Sequence, residues 1–165
     1  MKTVHVEDSL QTYSYQLSEP IGKNFADDFK PQLTPKQMLD LGVFGGHYFE
    51  NEHDEFPQEW FGGDHISSVH NAAVNFFALD ASQSREEWQR KGWIYEEDPR
   101  GWFQWYCRYY LGRRIPDEDR RQIKRWKNMT RHVGQIQKFC EPGDYNCRRR
   151  QRQAVLHWAY DSTKM

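Results

Sequence analysis

Apolar side chains, with one threonine among them, recur at helical spacing through the last third of the chain. The stripe comprises Ile123, Trp126, Met129, Thr130, Val133, Ile136 and Cys140. Residues at this spacing share one face of an α-helix. Three consecutive acids, Asp117 to Asp119, precede the stripe and suit the positive end of a helix. The pattern predicts one long amphipathic helix from residue 117 to about Phe139.

The start of the chain alternates as a strand does. Residues 4–6 and 13–17 place apolar and polar side chains in turn, which predicts a short β-hairpin. Residues 18–33 contain two prolines and a glycine. This segment is therefore predicted to be an extended, irregular arm.

Further helices are predicted from capping residues. Thr34 to Gln37 reads as a capping box with proline at the first helical position, and Gly42 is expected to end that helix. Asp98 is expected to cap a helix over residues 100–111, with Pro99 as its first helical residue and Gly112 at its end. Residues 67–79, 84–92 and 148–160 are also predicted to be helical. The expected fold is mainly α: a compact single domain, residues 1–165, with the N-terminal arm and hairpin (1–33) packed on a helical body (34–162).

Composition supports a folded protein inside the cell. Of 165 residues, 37% are hydrophobic and 16% aromatic, enough to build an ordinary core. No apolar run approaches the roughly 18 residues of a membrane-spanning helix, and the start has no apolar signal region. Three cysteines suggest thiols in a reducing compartment. We expect a cytoplasmic protein (nuclear if eukaryotic), neither secreted nor in a membrane.

Charge is segregated along the chain. Residues 1–99 have a net charge of −11 and residues 100–165 a net charge of +10, although the whole chain is near neutral at −1. Clustered cations bind polyanions by releasing the counterions condensed on phosphates. The basic part therefore suggests a nucleic-acid or nucleotide partner. The alternative is that the acidic part folds onto the basic part and neutralises it.

Five of these cations fall on the side of the predicted long helix opposite its apolar stripe. They are Arg120, Lys124, Lys127, Arg131 and Lys138, with Arg113 and Arg114 just before the helix. A cluster of four arginines, residues 148–152, follows it. Regularly spaced cations on an exposed helix favour phosphate contact. An ordinary solvated helix face, partly paired with acids, is the alternative.

The predicted helix over residues 100–111 is aromatic on nearly all sides, with a polar line of Arg100, Gln104 and Arg108. A buried arginine needs a partner, and Asp64 or Glu97 is the expected carboxylate. Alternatively, Gln104 and Arg108 form the floor of a pocket for an anion or a base edge. In that case three rings could stack on a planar ligand. These rings are those of Trp102, Trp105 and Tyr109.

An acidic, histidine-containing loop follows residue 46. Its carboxylates and imidazoles could supply a general acid and base, and Glu50, Asp64, His65 and Arg108 are the catalytic candidates of a small enzyme acting on an anionic metabolite. A hydrated acidic loop is the alternative. Glu50 and His53 match only half of a di-iron pattern. No metal site is therefore predicted there.

Cys140 and Cys147 lie between His132 and His157. Four zinc ligands are thus possible, but their spacing is unfamiliar, and two thiols able to oxidise are the preferred interpretation. The phosphate-binding, dinucleotide, nucleophile-elbow and HExxH zinc motifs are absent from the sequence. No cofactor is predicted. The oligomeric state is not indicated.

Several segments are similar to one protein family. They are EPIGKNF, LTPKQMLDLGVFGG, GWIYEEDPRGWFQWYCRYYLGRR, RQIKRW and CRRRQRQAVLHWAY, within residues 18–162. They resemble a family from bacteria, fungi, plants and some large viruses for which no activity, cofactor or catalytic residue is settled. The resemblance implies a self-contained single-domain unit and transfers no site. Similar chains carry lysine at the position of His47, which argues against a catalytic or metal-binding role for this histidine.

Overall fold

The computed structural model describes residues 2–49, 54–63, 69–79 and 95–165. The described chain is mainly helical and begins with an antiparallel hairpin. Strand β1 (Lys2–Glu7) pairs with β2 (Thr12–Leu17), with Lys2 opposite Leu17 and Glu7 opposite Thr12. The Asp8 carboxylate accepts two backbone N–H groups of the connecting turn. The predicted hairpin is confirmed.

Helix α1 (Pro35–Asp40) begins as its capping sequence predicts. Thr34 Oγ1 accepts the Gln37 N–H at 3.1 Å, and Gln37 Oε1 accepts the Thr34 N–H at 2.9 Å. Both bonds satisfy N–H groups that the first helical turn leaves without partners. The helix is followed by Leu41 and then by Gly42, whose φ of 62° turns the chain away as predicted.

Helix α2 (Trp102–Leu111) is the centre of the fold, because nine of its ten side chains are buried. Its predicted start is wrong by two residues. Gly101, with a φ of 100°, precedes the first helical residue, and the Asp98 carboxylate binds arginines in the core. The Pro99 prediction fails with it, since Pro99 lies before the helix.

The predicted long helix is two helices, α3 (Pro116–Asn128) and α4 (Thr130–Phe139). At the junction, the Met129 N–H donates to Trp126 O at 3.1 Å, three residues back. The Thr130 hydroxyl donates to Lys127 O at 2.7 Å. These bonds tighten the helix locally and separate α3 from α4.

Two other helix predictions need correction, and one lies outside the described residues. Residues 69–79 contain only a short 3₁₀ turn, Ala72–Val74, because the Asn71 and Asn75 side chains bond nearby backbone groups. Helix α5 (Arg149–Leu156) ends four residues earlier than predicted, before a turn in which Ala159 has a φ of 63°. The predicted helix over residues 84–92 is not within the described part of the chain.

The core is aromatic and includes the predicted arm. Phe29, which is almost fully buried, lies 5.0 Å from the Trp126 ring and 5.5 Å from the Trp105 ring, measured between centroids. The arm thus anchors itself by inserting one ring between α2 and α3. No helix in the described ranges is long and apolar enough to cross a membrane.

Cys140 and Cys147, expected as thiols, form a disulfide between the end of α4 and the start of α5. Their sulfur atoms bind each other and are not available as zinc ligands in this state. Within the described part of the chain, no three histidine, cysteine or acidic side chains are close enough to hold a metal ion.

Candidate functional site

Arg108, the central candidate of the aromatic helix, is completely buried and fully occupied by internal partners. Its Nε and Nη2 donate to Glu55 at 2.7 and 3.0 Å. Its Nη1 donates to Asp98 Oδ1 at 2.8 Å and to the Glu97 carbonyl at 2.5 Å, and Nη2 also donates to Gln11 Oε1 at 2.8 Å. A guanidinium has five N–H donors, and these bonds use all of them. None remains for an anionic ligand.

Asp98 joins Arg108 to a second buried arginine. Its carboxylate, which is 0% exposed, accepts Arg113 Nη1 at 2.8 Å and Nη2 at 2.6 Å. Two guanidinium groups and two carboxylates, those of Asp98 and Glu55, therefore form one cluster of zero net charge. Burial opposes the charged form of Arg108, but the hydrogen bond and charge of Glu55 hold its pKa above the ordinary value.

The hairpin covers this cluster. The Tyr15 hydroxyl donates to Glu55 Oε2 at 2.5 Å, and burial together with the Glu55 charge raises the Tyr15 pKa. The guanidinium carbon of Arg108 lies 5.2 Å from the Tyr13 ring centroid and 5.3 Å from that of Tyr15. These contacts join the hairpin, the segment around Glu55 and α2, which is a structural role for Arg108.

The partner of Arg108 differs in part from the expected one. Glu97 contributes its backbone carbonyl, and the carboxylates come from Glu55 and Asp98. The candidate acids Glu50 and Asp64 and the candidate base His65 lie outside the described residues. The proposed pocket between them and α2 therefore remains a prediction.

The other α2 candidates face the core. Gln104 is buried, and its Oε1 accepts the Arg100 N–H at 3.0 Å. The indole N–H of Trp102 donates to Gln122 O at 3.2 Å, and that of Trp105 donates to Asp119 Oδ1 at 2.8 Å. In this arrangement neither indole ring presents a face to an external ligand.

Tyr109 is also buried, and Arg114 stacks on it. The guanidinium carbon of Arg114 lies 3.7 Å from the Tyr109 ring centroid. Arg114 also donates to the carbonyl groups of Lys23 and Asn24, at 3.0 and 3.2 Å. It thereby ties the N-terminal arm to the end of α2. Arg113 and Arg114 are thus committed to contacts within the fold.

The other five candidate cations are exposed on α3 and α4, and we call this set the basic face. Its members are Arg120, Lys124, Lys127, Arg131 and Lys138, and all are exposed. Arg120 forms an ion pair with Asp117, and Lys127 forms one with Asp28. The hydrogen bond from Lys127 lowers the Asp28 pKa. Among the described residues, the other three members, Lys124, Arg131 and Lys138, have no ion-pair partner.

A cleft of 580 Å³ opens beside Glu55, between the hairpin and residues 54–57. Its charged lining residues are Glu19, Asp54, Glu55 and Lys2, three carboxylates against one cation. Because Glu55 is already paired with Arg108, Glu19 and Asp54 face the single cation Lys2, so the lining offers no excess of positive charge to an anionic metabolite. The cleft therefore gives no support to the alternative of an enzyme with an anionic substrate.

No family model, no curated protein and no solved structure matches this chain. The family resemblance of its sequence segments stays a prediction. Phe139 and Arg148, near the end of the basic face, are candidate functional residues that were not predicted from the sequence. Phe139 was only the expected end of a helix, although its place outside the apolar stripe was a signal of exposure.

Proposed function

We propose that this is a single-domain nucleic-acid-binding protein that contacts phosphates through the basic face. One observation carries the proposal: five cations spaced along two consecutive helices are all exposed. Exposed lysine and arginine side chains in such a row contact the phosphates that give nucleic acids their affinity for proteins.

The spacing of the cations favours a polymer over a single nucleotide. Arg120 and Lys127 are seven positions apart on α3, with Lys124 between them, which is about 10 Å at 1.5 Å per residue. Duplex DNA carries about six phosphate charges over that length. Arg131 and Lys138 extend the row along α4.

The two ion pairs on this face do not oppose the proposal. The side chains of Asp28 and Asp117 are both mostly exposed, and exposed ion pairs contribute only about 0–1 kcal/mol. A phosphate can therefore compete for Arg120 and Lys127. The proposal uses neither Arg113 and Arg114 nor the buried rings of α2, because their contacts are internal.

The test measures how binding of a labelled DNA duplex, and of RNA, depends on salt concentration. The logarithm of the binding constant should fall linearly with the logarithm of salt concentration. The Lys124→Gln variant should reduce the slope by about 0.9, the contribution of one phosphate contact. Lys36→Gln is the matched control, because Lys36 is a half-exposed lysine on α1, outside the basic face.

Absence of binding to either nucleic acid at about 50 mM salt, where phosphate contacts are strong, would overturn the proposal. Equal slopes for the Lys124 and Lys36 variants, both below that of the wild type, would also overturn it. Such a result would indicate a diffuse charge effect in place of a defined face.

A further inference from the structure

Phe139 is an exposed aromatic side chain at the end of the basic face. It is the last residue of α4 and follows Lys138, yet 56% of its surface is open to solvent. Isolated apolar residues on a surface are common and need no function. What distinguishes this ring is its surroundings.

Two cations approach the Phe139 ring. The Nζ atom of Lys138 lies 5.2 Å from the ring centroid, and the guanidinium carbon of Arg148 lies 4.6 Å from it. Both distances are within the roughly 6 Å range of cation–π attraction. A base that stacks on the ring must therefore take the place of one cation, and Lys138, whose long side chain is flexible, is the one that can move from the ring to an adjacent phosphate.

The disulfide fixes this arrangement. Cys140 directly follows Phe139, Cys147 directly precedes Arg148, and the bond between them brings their Cα atoms to 5.7 Å. Arg148 has a φ of 51°, a left-handed conformation that non-glycine residues adopt only at a cost. Its Nη1 also donates to Gln151 Oε1 at 3.1 Å. The position of the guanidinium beside the ring is thus set by the covalent loop and by α5.

We infer that Phe139, Lys138 and Arg148 form a binding site for an unpaired nucleobase and its adjacent phosphates. This inference rests on the proposed function and names its substrate class, a single-stranded nucleic acid. Every base has a π-face that can stack on an aromatic ring, whatever the sequence. In a duplex those faces are occupied by neighbouring bases, so a duplex can use the basic face without using Phe139.

The experiment compares two probes, a fluorescent oligodeoxyadenylate and the same strand annealed to oligothymidylate. Phe139→Ala should weaken binding of the single strand by about 5- to 150-fold, the range for loss of one base–aromatic stack. Binding of the duplex should change by less than about twofold. Phe139→Trp should retain single-strand binding, whereas Phe139→Leu, which keeps apolar volume without a π-face, should behave as the alanine variant does.

Phe76→Ala is the matched control. Phe76 is also exposed, at 40%, and packs on Tyr145, which lies in the loop closed by the Cys140–Cys147 disulfide. This variant should bind both probes as the wild type does. Far-ultraviolet circular dichroism of each variant checks that the fold is unchanged.

The outcomes separate the two proposals. If both probes bind with strong salt dependence and Phe139→Ala affects neither or both equally, the base-stacking site is wrong and the phosphate-binding basic face stands. If the wild type binds neither probe, and does not bind an oligoadenylate RNA at the same salt concentration, both proposals are wrong. Selective loss of single-strand binding in Phe139→Ala, with rescue by tryptophan, supports the site.

Discussion

Glu55 and Arg108 form a bidentate ion pair in the interior of the protein. The two bonds measure 2.7 and 3.0 Å, the arginine is 0% exposed, and the partners are 53 residues apart in the chain. The pair joins a segment of the acidic part to the central helix. Part of the charge segregation of the sequence is therefore neutralised within the fold, while the basic face stays exposed.

Replacing Glu55 by glutamine should destabilise the protein strongly. The change keeps the size of the side chain but removes one charge of the buried cluster, which leaves a positive charge uncompensated. Breaking a buried ion pair in this way costs about 3–5 kcal/mol. The free energy of unfolding, measured with urea, checks the prediction.

Asp40→Asn is the control for this variant. Asp40 forms an ion pair with Lys36 on α1, and both side chains are about half exposed. Its loss should cost less than about 1 kcal/mol. Similar costs for the two variants would contradict the assignment of the Glu55 pair as a structural joint.

A second prediction concerns the crossing of the N-terminal arm over the end of α2. At Gly112, with a φ of 124°, an added Cβ would lie 2.0 Å from the Glu19 carbonyl oxygen. Gly112→Ala should therefore lower the free energy of unfolding by about 2 kcal/mol or more, through backbone strain and overlap.

Gly134→Ala is the matched comparison, for which we expect the opposite effect on stability. Gly134 lies inside α4, and nothing is within 4 Å of its added Cβ. Alanine should stabilise the helix here by about 0.5–1 kcal/mol. Thermal or urea unfolding of the two variants should shift in opposite directions, and a shift in the same direction would be inconsistent with these environments.

The parts of the fold that sequence predicted are those set by near neighbours. The capping box at Thr34 and Gln37 involves residues three apart, and the hairpin depends on alternation within two short segments. The break at Met129 was missed because the apolar stripe continues through it. The backbone bonds that interrupt the helix leave no mark in that periodicity.

The candidate site also has a part that could be predicted from the sequence and a part that depends on the tertiary fold. The basic face follows from helical periodicity alone, and its five cations are exposed as that periodicity predicts. The partners of Arg108 do not follow from periodicity, because Glu55 reaches it only through the tertiary fold. The proximity of Phe139 and Arg148 depends on the disulfide, and the sequence indicated Cys140 and Cys147 only as thiols able to oxidise.

A third prediction is a pH dependence that arises from His132. Its Nδ1 lies 2.8 Å from Gln151 Nε2, which can donate to the neutral ring. Burial, and then the charge of Arg131, lowers the His132 pKa below 6.5. The folded state thus disfavours the protonated ring. The contribution of the neutral His132 ring to the free energy of unfolding is complete when the pH is above the pKa of the unfolded state. It is lost as the pH falls through the pKa of the folded state.

His132→Gln should therefore flatten the pH dependence of stability on the acidic side of neutrality. Urea unfolding of wild type and variant between about pH 7.5 and pH 5, which spans the ordinary histidine pKa, measures this directly. Wild-type stability should fall more steeply than that of the variant. Parallel profiles would show that His132 carries no part of the dependence.

The last prediction concerns the Cys140–Cys147 disulfide, whose cysteines are seven residues apart. Closing a loop of this size restricts the unfolded chain and should stabilise the protein by about 2–3 kcal/mol. The Cys140→Ser/Cys147→Ser variant should lose that amount in urea unfolding. A dithiol reductant should lower wild-type stability similarly and leave the variant unchanged, which separates the disulfide from effects on buried Cys107.

Because the disulfide also sets Arg148 beside Phe139, the same variant should bind the single-stranded probe more weakly, with duplex binding retained. Unchanged stability after reduction would contradict the stabilising role, and unchanged single-strand binding would show that Arg148 keeps its place without the covalent loop.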